Sequence, residues 1–600
     1  MQSIRLHLAR TLFAATLMLT VWLAASARAD WTTYRGDSGR SGVDTSSVGS
    51  LPFAPAWTSP DLGGDIWGQP LVHDGLVIVA TESNQIAALS ESTGQVVWRA
   101  SAGTPVPSSQ LPCGDITPTV GITSTPVIDS ATGRVFVVAD TLTGSTIQHK
   151  LYGFNLSNGS SVAGYPVSVE PPGDVPADQL QRPALALDNG QIIVGYGGND
   201  GDCATYHGWL VSAPEAGGPL HTFEDDTIAT DGEGAIWGSG NGPAIDSSGD
   251  VWVSTGNGNT GSSFDYQESV LKLDPNMNLL DHWTPSSWQS LDSGDVDLGS
   301  SEPVLLPNGL VFQIGKQGVG YLLSASGLGG TGASPAYSAS VCSGSWGGAV
   351  YNNGIIYVTC SNGLRALALN ASARSFSPVG GWQVTANAIG PPTVAGGLVW
   401  TTNWKGTTLY GLNLQTGQVM VQQTTPAMDH FATPSASDGK LFLATGHTVE
   451  AYTIANPAPV ASSPSVPAPP AAKCSLKLRS GRVKLHHPKR RKGHKRTPPA
   501  YATVALIAKC DQAVQVKLSG VVGERLSKKS KHRKAKTRSF RLATVRASTS
   551  PNVTRTVQIR LTPALLRALR RHVRESGKFT LTTTTVGGTT RVSAQAVLRL

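Results

Sequence analysis

No Cys-x-x-Cys-His, nucleophile elbow, P-loop or zinc-ligand spacing occurs in this 600-residue sequence. Covalently attached c-type haem is thereby excluded, and the usual signatures of serine hydrolases, nucleotide triphosphatases and zinc proteins are missing. Charged residues are only 14% of the chain and aromatics only 6%. Long apolar runs are also lacking: the stretch 12–25 falls short of the ~20 residues that span a bilayer. Arg5 and Arg10 precede that stretch and Ala27-Arg28-Ala29 follows it, which reads as a secretory signal over 1–29. No cysteine sits beside the cleavage site, so a lipid anchor is not expected. The mature chain is expected to start at Asp30, to be secreted or envelope-associated, and to keep no transmembrane span.

Gly (67) and Pro (38) are plentiful, as a turn-dense all-β chain requires. Six cysteines in an exported chain allow three disulfides. Sequence alone does not fix their pairing, but locality suggests Cys342 with Cys360 and Cys474 with Cys510, leaving Cys113 with Cys203.

A strand signature recurs at Gln69-Pro70-Leu71-Val72, Thr125-Pro126-Val127-Ile128, Arg182-Pro183-Ala184-Leu185, Gly242-Pro243-Ala244-Ile245, Glu302-Pro303-Val304-Leu305, Pro391-Pro392-Thr393-Val394 and Thr433-Pro434. Gly347-Gly348-Ala349-Val350 is a degenerate copy with Gly348 where the others carry Pro. Each start is followed by a Gly/Asp/Asn turn and a second apolar run, such as Leu76-Val77-Ile78-Val79-Ala80. The unit is a β-meander with a period of about 40 to 60 residues, which marks propeller blades or solenoid turns. About eight units fit between Gly68 and Ile454, the number for a ring of four-stranded sheets.

The charge is divided. Of 47 Lys and Arg, 32 lie beyond residue 472, whereas only 3 of the 39 acids do. A Pro/Ala/Ser-rich linker over 456–472 separates the two fields. The predicted organisation is therefore a signal peptide at 1–29, a propeller at 30–455, the linker, and a small basic β-sandwich at 473–600. In the sandwich, strands are expected around Thr503-Val504-Ala505-Leu506 and Gln515-Val516-Lys517-Leu518, with one helix over 563–574 capped by Thr562. Two basic runs, 489–496 and 528–538, read as loops. A surface so basic attracts polyanions. It has no interleaved aromatics for base stacking, so anionic cell-envelope polymers or lipid headgroups, and not nucleic acid, are the expected partners; the alternative is that the basic loops only solubilise the domain or dock on the acidic propeller.

The stretch Ser92-Thr93-Gly94-Gln95-Val96-Val97-Trp98 places a strand ending in Trp after a Thr-Gly turn, so that the indole of one sheet can wedge against the next. Leu414-Gln415-Thr416-Gly417-Gln418-Val419 repeats it without the Trp. On these motifs the chain resembles the pyrroloquinoline quinone (PQQ) repeat family, the eight-bladed propellers of quinoprotein alcohol dehydrogenases and their non-enzymatic relatives. The resemblance covers most of 30–455 and implies that Phe53-Ala54-Pro55-Ala56-Trp57 completes the last blade. The C-terminal segment loosely resembles Ig-like domains of exported actinobacterial proteins.

The resemblance also implies a site. Trp237, in Ala235-Ile236-Trp237-Gly238, matches the indole that stacks under the quinone. Asn257, in Ser254-Thr255-Gly256-Asn257, matches a Ca²⁺ ligand. Asp297, in Asp295-Val296-Asp297, matches the catalytic base and a further Ca²⁺ ligand. Lys316 matches the cation that bridges this Asp and the quinone oxygen. The chemistry suits the residue types: Ca²⁺ takes hard oxygen ligands and a positioned carboxylate accepts the alcohol proton. The dehydrogenases have a further Glu ligand in the third blade, where this chain offers Asp200 or Asp202. They also carry an adjacent-cysteine disulfide, where this chain has the single Cys113. The expected function is PQQ- and Ca²⁺-dependent oxidation of an alcohol, with electrons passing to an external acceptor. The competing expectation is a non-catalytic envelope binding or scaffold propeller. Taken singly, Asn257, Asp297 and Lys316 suit turns and Trp237 suits packing; their order across consecutive units carries the inference. His207 is expected to be a structural imidazole bonded to a loop carbonyl, and His430 has no evident partner.

Overall fold

The computed structural model describes residues 30–47, 52–227, 232–258, 263–404, 406–454, 472–487, 501–511, 514–525, 537–549, 552–572, 574–585 and 588–600. The expected signal segment, nearly all of the expected linker, and most of the two basic runs lie outside these residues. Arg538 is described, and it sits in the strand Thr537–Thr549, not in a loop. The chain divides into two units, Met1–Pro459 and Val460–Leu600.

In the first unit the repeat starts become the first strands of successive meanders. The second and third strands are near-continuous buried runs, such as Leu76–Ala80, Val251–Ser254 and Leu398–Thr402, because each sheet packs on two neighbours. The described residues form eight sheets of four or five strands, besides one short two-stranded pairing. The first runs from Leu71–His73 to Val96–Ser101. The eighth contains Ser435–Ser437, Lys440–Thr445 and Thr448–Thr453, and its outer edge is completed by the N-terminal strand Ala54–Thr58. First strands of consecutive sheets pack side by side, and Ser435–Ser437 packs beside Leu71–His73. Between the fourth and fifth sheets the contact passes through the short 3₁₀ turns Gly238–Gly240 and Leu298–Ser300.

The segment before the first sheet runs along these strand starts. Trp31 N donates to Val72 O at 2.8 Å, and Thr32 O accepts from Ile128 N at 2.8 Å. Ser38 O accepts from Ile245 N at 2.7 Å and Gly42 O from Val394 N at 2.8 Å. Arg35 and Arg40 are buried within it, 0% and 2% exposed. Arg40 donates to Pro243 O, Thr33 Oγ1, Tyr34 O and Leu185 O. The Arg35 guanidinium donates to Ala349 O at 2.6 Å. A Cβ on Gly348 would lie 2.6 Å from Arg35 Nη1 and 2.8 Å from the Asn241 amide. The missing Pro of the sixth repeat start thus has a cause: its ring would occupy the space of a buried guanidinium.

The second unit has two four-stranded sheets. Cys474–Leu478, Lys484–His486, Tyr501–Cys510 and Thr554–Arg560 form one; Val514–Arg525, Thr537–Thr549, Arg574–Thr585 and Gly588–Arg599 form the other. Both contribute to a single apolar core that includes Val504, Leu506, Val516, Leu518, Ile559, Phe579 and Leu581. The helix Pro563–His572 buries Leu565 and Leu569 in it, and Thr562 Oγ1 accepts from Leu565 N at 3.2 Å. It ends two residues before the expected boundary, because Arg574 already opens a strand.

Three disulfides join Cys113 to Cys203, Cys342 to Cys360 and Cys474 to Cys510, the pairing that locality suggests. Disulfides suit an oxidising, extracellular compartment. Among the described residues no helix is long and apolar enough to cross a membrane.

Candidate functional site

The loops that follow the second strands of the third, fourth and fifth sheets converge on a cavity of about 480 Å³. Trp237, Asn257, Asp297, Lys316, Asp200 and Asp202 all line it. Trp67, Tyr206, Trp346, Trp404 and Phe431 supply aromatic walls.

Asp297 is the best-buried acid of this wall, 5% exposed. Its Oδ2 lies 2.8 Å from Lys316 Nζ and its Oδ1 accepts from Asn257 N at 3.0 Å. Lys316 is aimed by its own main chain, since its N–H donates to Asp297 O at 2.9 Å. It also pairs with the exposed Asp295, and its ammonium stands 5.7 Å from the Trp237 ring centre. Burial pushes the Asp297 carboxyl above its ordinary value, and the Lys316 ammonium opposes that rise. Burial would push Lys316 down, but Asp297 and Asp295 outweigh it and hold the ammonium above its usual range. A carboxylate that burial makes more basic and that a cation holds in one orientation suits proton abstraction.

Asn257 follows the strand Val251–Ser254 on a tight turn at Gly256, where a Cβ would press on Asp297 Oδ1 at 3.1 Å and Trp237 Nε1 at 3.4 Å. The side-chain oxygen of Asn257 is buried without a hydrogen-bond partner. Such an oxygen is costly unless a cation or donor meets it. Of the two third-sheet acids, Asp202 Oδ1 accepts from Tyr206 Oη at 2.6 Å, while Asp200 lines the cavity. Among the described residues no three His, Cys, Asp or Glu side chains gather as a metal site. Any cation site here therefore relies on amide oxygen as well as carboxylate.

Three participants were not foreseen. Arg182, 6% exposed, lines the cavity with its guanidinium 5.3 Å from the Trp67 ring centre and 5.8 Å from that of Phe431. Its hydrogen bonds go to two main-chain carbonyls, Thr123 O at 3.5 Å and His430 O at 3.2 Å, and burial lowers its pKa. Glu268 is fully buried behind Asp297: its Oε2 accepts from Leu298 N at 2.5 Å and its Oε1 has no partner. Burial first, and the Asp297 charge second, push its carboxyl well above the usual range. Glu302, the residue before the fifth repeat's Pro, accepts from Ser254 N at 2.8 Å and is pushed by burial up to about 8. Arg182 and Glu302 occupy the same pre-Pro position in their repeats, a position whose residue varies from repeat to repeat.

His430 also lines the cavity, with Nδ1 3.3 Å from Asp115 Oδ2 and its ring against Trp404. His207 Nδ1 lies 3.0 Å from Asp226 O, the carbonyl partner expected of a structural imidazole. Cys113 and Cys203 bridge the loops that carry Asp115 and Asp200 to Asp202 into the cavity wall.

Residues 54–199 match the family described as outer membrane protein assembly factor BamB. No curated protein matches the chain. Among solved structures, the chain is similar to quinohemoprotein alcohol dehydrogenase from Comamonas testosteroni, with TM-score 0.53 and 14% identity over 71% of this chain and 81% of that one. It is also similar to quinohemoprotein alcohol dehydrogenase ADHIIG from Pseudomonas putida HK5, with TM-score 0.51 and 14% identity over 74% and 83%. A third similar structure is a europium-containing methanol dehydrogenase, with TM-score 0.51 and 13% identity over 70% and 90%. These likenesses establish the fold, a PQQ-repeat type of β-propeller.

Proposed function

We propose that residues 30–455 form a closed eight-bladed propeller whose cavity binds PQQ with Ca²⁺, and that the protein is an exported alcohol dehydrogenase. The observation that carries this reading is the Asp297–Lys316 pair, 2.8 Å apart, beside Trp237 in an aromatic cavity. The residues fit the group: Trp237 suits a flat ring system, Lys316 and Arg182 suit its quinone oxygen and carboxylates, and the unpartnered Asn257 Oδ1 suits a hard cation. When bound, PQQ supplies the two-electron acceptor and Ca²⁺ the Lewis acid that polarises it. Asp297 accepts the substrate hydroxyl proton at its carboxylate. Lys316 keeps that carboxylate oriented and offers its ammonium to developing oxyanion charge. Asn257, with Asp297 and an oxygen of Asp200 or Asp202, holds the cation. Electrons leave to an external acceptor.

In this reading the chain begins with a signal peptide at 1–29. A linker over 456–472 leads to an Ig-like basic domain at 473–600, which binds an anionic polymer of the cell envelope. The second reading is a non-catalytic scaffold; it is favoured by the absence of a three-acid cluster among the described residues.

The test is reconstitution of the purified protein with PQQ and Ca²⁺, followed by quinone absorbance, thermal shift and dye-linked alcohol oxidation. Asp297→Asn is expected to retain PQQ binding while losing turnover by about 1,000-fold, in the range of a lost general base. Turnover untouched by the substitution would refute the assignment of the base, and absence of PQQ binding would leave the scaffold.

A further inference from the structure

The second unit has only three acids, Asp511, Glu524 and Glu575. Glu524 and Glu575 are 1% and 4% exposed, and Glu524 pairs with Arg571 at 3.2 Å. Asp511 lies at the end of the strand Tyr501–Cys510 and accepts from Lys473 N. The outward face of the sheet built from Val514–Arg525, Thr537–Thr549, Arg574–Thr585 and Gly588–Arg599 is thus left without any described acid.

Strand register orders that face into rows. Arg546 stands opposite Lys517, Lys517 opposite Thr582, and Thr582 opposite Arg591. Four residues along the central strand, Arg541 stands opposite Val521 and Val521 opposite Lys578. Between the two rows Ser519 faces Thr580, which faces Ser593. The five cations are exposed and cover an area of roughly 14 by 13 Å at ordinary strand and residue spacings. Lys517 and Arg546 are directly opposed like charges, an arrangement that destabilises a sheet. Folding does not explain such a face; an anion lying across it does.

We infer that this cationic, hydroxyl-rich sheet face is the docking surface for a linear phosphodiester polymer of the cell envelope. Arg pairs phosphate bidentately, and the Ser/Thr row adds donors between the two cationic rows. The face carries no exposed Trp, Phe, Tyr or Leu, and its exposed apolar side chains are the short Val521 and Val597, so it lacks the bulky anchors that insert into a bilayer and the rings that stack on nucleic-acid bases. The inference rests on the envelope-polymer reading of 473–600 and names the surface that serves it.

The experiment measures binding of the full-length protein to a glycerol-phosphate polymer at several salt concentrations, with anionic lipid vesicles and duplex DNA as competitors. A variant carrying Lys517→Gln, Arg541→Gln, Arg546→Gln, Lys578→Gln and Arg591→Gln should bind about 100-fold more weakly at 0.15 M salt, and its slope of log K against log salt should be shallower by about 4. The control removes four cations from the opposite sheet by Lys477→Gln, Lys484→Gln, Lys509→Gln and Arg560→Gln, keeps both basic runs, and should retain most of the binding. Equal losses in the two variants would overturn the face assignment and leave a diffuse charge effect. Failure of the parent itself to bind would overturn the envelope-polymer reading as well, and preference for vesicles or DNA would overturn the polymer. Arg546→Gln alone separates function from folding: at low salt it should raise the unit's thermal stability while weakening polymer binding. A loss of stability would mean that the Lys517–Arg546 juxtaposition is structural.

Discussion

His149 is 0% exposed, with Nε2 3.0 Å from Asp140 and Nδ1 3.0 Å from Glu170. Burial would push its imidazole down, but the two carboxylates outweigh it and raise the pKa from 6.5 to about 10. The stability it contributes is therefore complete below pH 6.5 and is lost as pH rises towards 10. Glu82 and Glu302 act in the same direction over a lower window. Burial raises both carboxyls from 4.5 to about 8, so the folded state holds protons that the unfolded chain releases, and stability falls as pH rises between those values. The first unit should accordingly be most resistant in mild acid. Thermal melts across pH 4 to 10 check this: Glu302→Gln should flatten the fall between pH 4.5 and 8 by on the order of 3 kcal/mol and leave the alkaline fall due to His149 in place. A parent whose stability rises through that range would contradict the assignment.

The Trp-after-turn motif works between elements. Trp57 lies over Gly94 and donates to Glu91 O at 3.0 Å; Trp98 lies over Gly159 and donates to Leu156 O at 2.7 Å; Trp382 lies over Gly417. Each indole locks one sheet's edge to the turn of another. A Cβ on Gly159, whose φ is +71°, would fall 2.5 Å from the Trp98 ring. Gly159→Ala should cost about 3 kcal/mol, joining backbone strain to a steric clash. Gly133 has a similar φ of +67° with nothing within 4 Å, so Gly133→Ala should cost about 1 kcal/mol. Denaturant unfolding of the two variants checks the difference, and equal costs would mean that the indole contact contributes nothing. For Trp98 this lock was legible in the sequence because turn, strand and Trp are adjacent in one short string; Trp57 and Trp382 follow no Thr-Gly turn. That Trp237, Asn257, Asp297 and Lys316 share one cavity was implied by the family resemblance: Trp237 and Asp297 each stand five residues before a repeat start, and Asn257 and Lys316 each follow a second strand. Arg182 and Glu302 were not: the pre-Pro position holds Gln69, Thr125, Gly242 and Thr433 in other repeats, and a position with no constant residue does not announce its chemistry. Glu268 lacked any signal, because its role depends on burial behind Asp297.

At the scale of the whole first unit, stability depends on joining sequence-distant ends. The strand Ala54–Thr58 pairs with Thr448–Thr453 from Ala54–Thr453 to Thr58–Glu450, with a register shift between Pro55 and Trp57, and covers an edge that would otherwise be open. The family resemblance implied this pairing, with the segment ending in Trp57 completing the last sheet. It did not reveal that the segment before it ties the sheets together. Trp31, Thr32, Thr33, Arg35, Ser38, Gly42 and Tyr34 bond to seven of the eight sheets or their immediate approaches, at Val72, Ile128, Leu185, Ala349, Ile245, Val394 and Thr433. Those partners are spread over hundreds of residues, and no local pattern links them to two arginines in a Gly/Ser-rich stretch. Each such bond ends on a main-chain or side-chain polar group that would otherwise be buried and unpaired. A chain lacking residues 30–58 should therefore lose more than one strand's worth of stability. Its first and eighth sheets should exchange amide hydrogens ahead of the other sheets, and its thermal transition should broaden or split where the parent's is single. Hydrogen exchange and calorimetry on the shortened protein test this, and a single transition at the parent's temperature would show that the sheets cohere without their N-terminal tie.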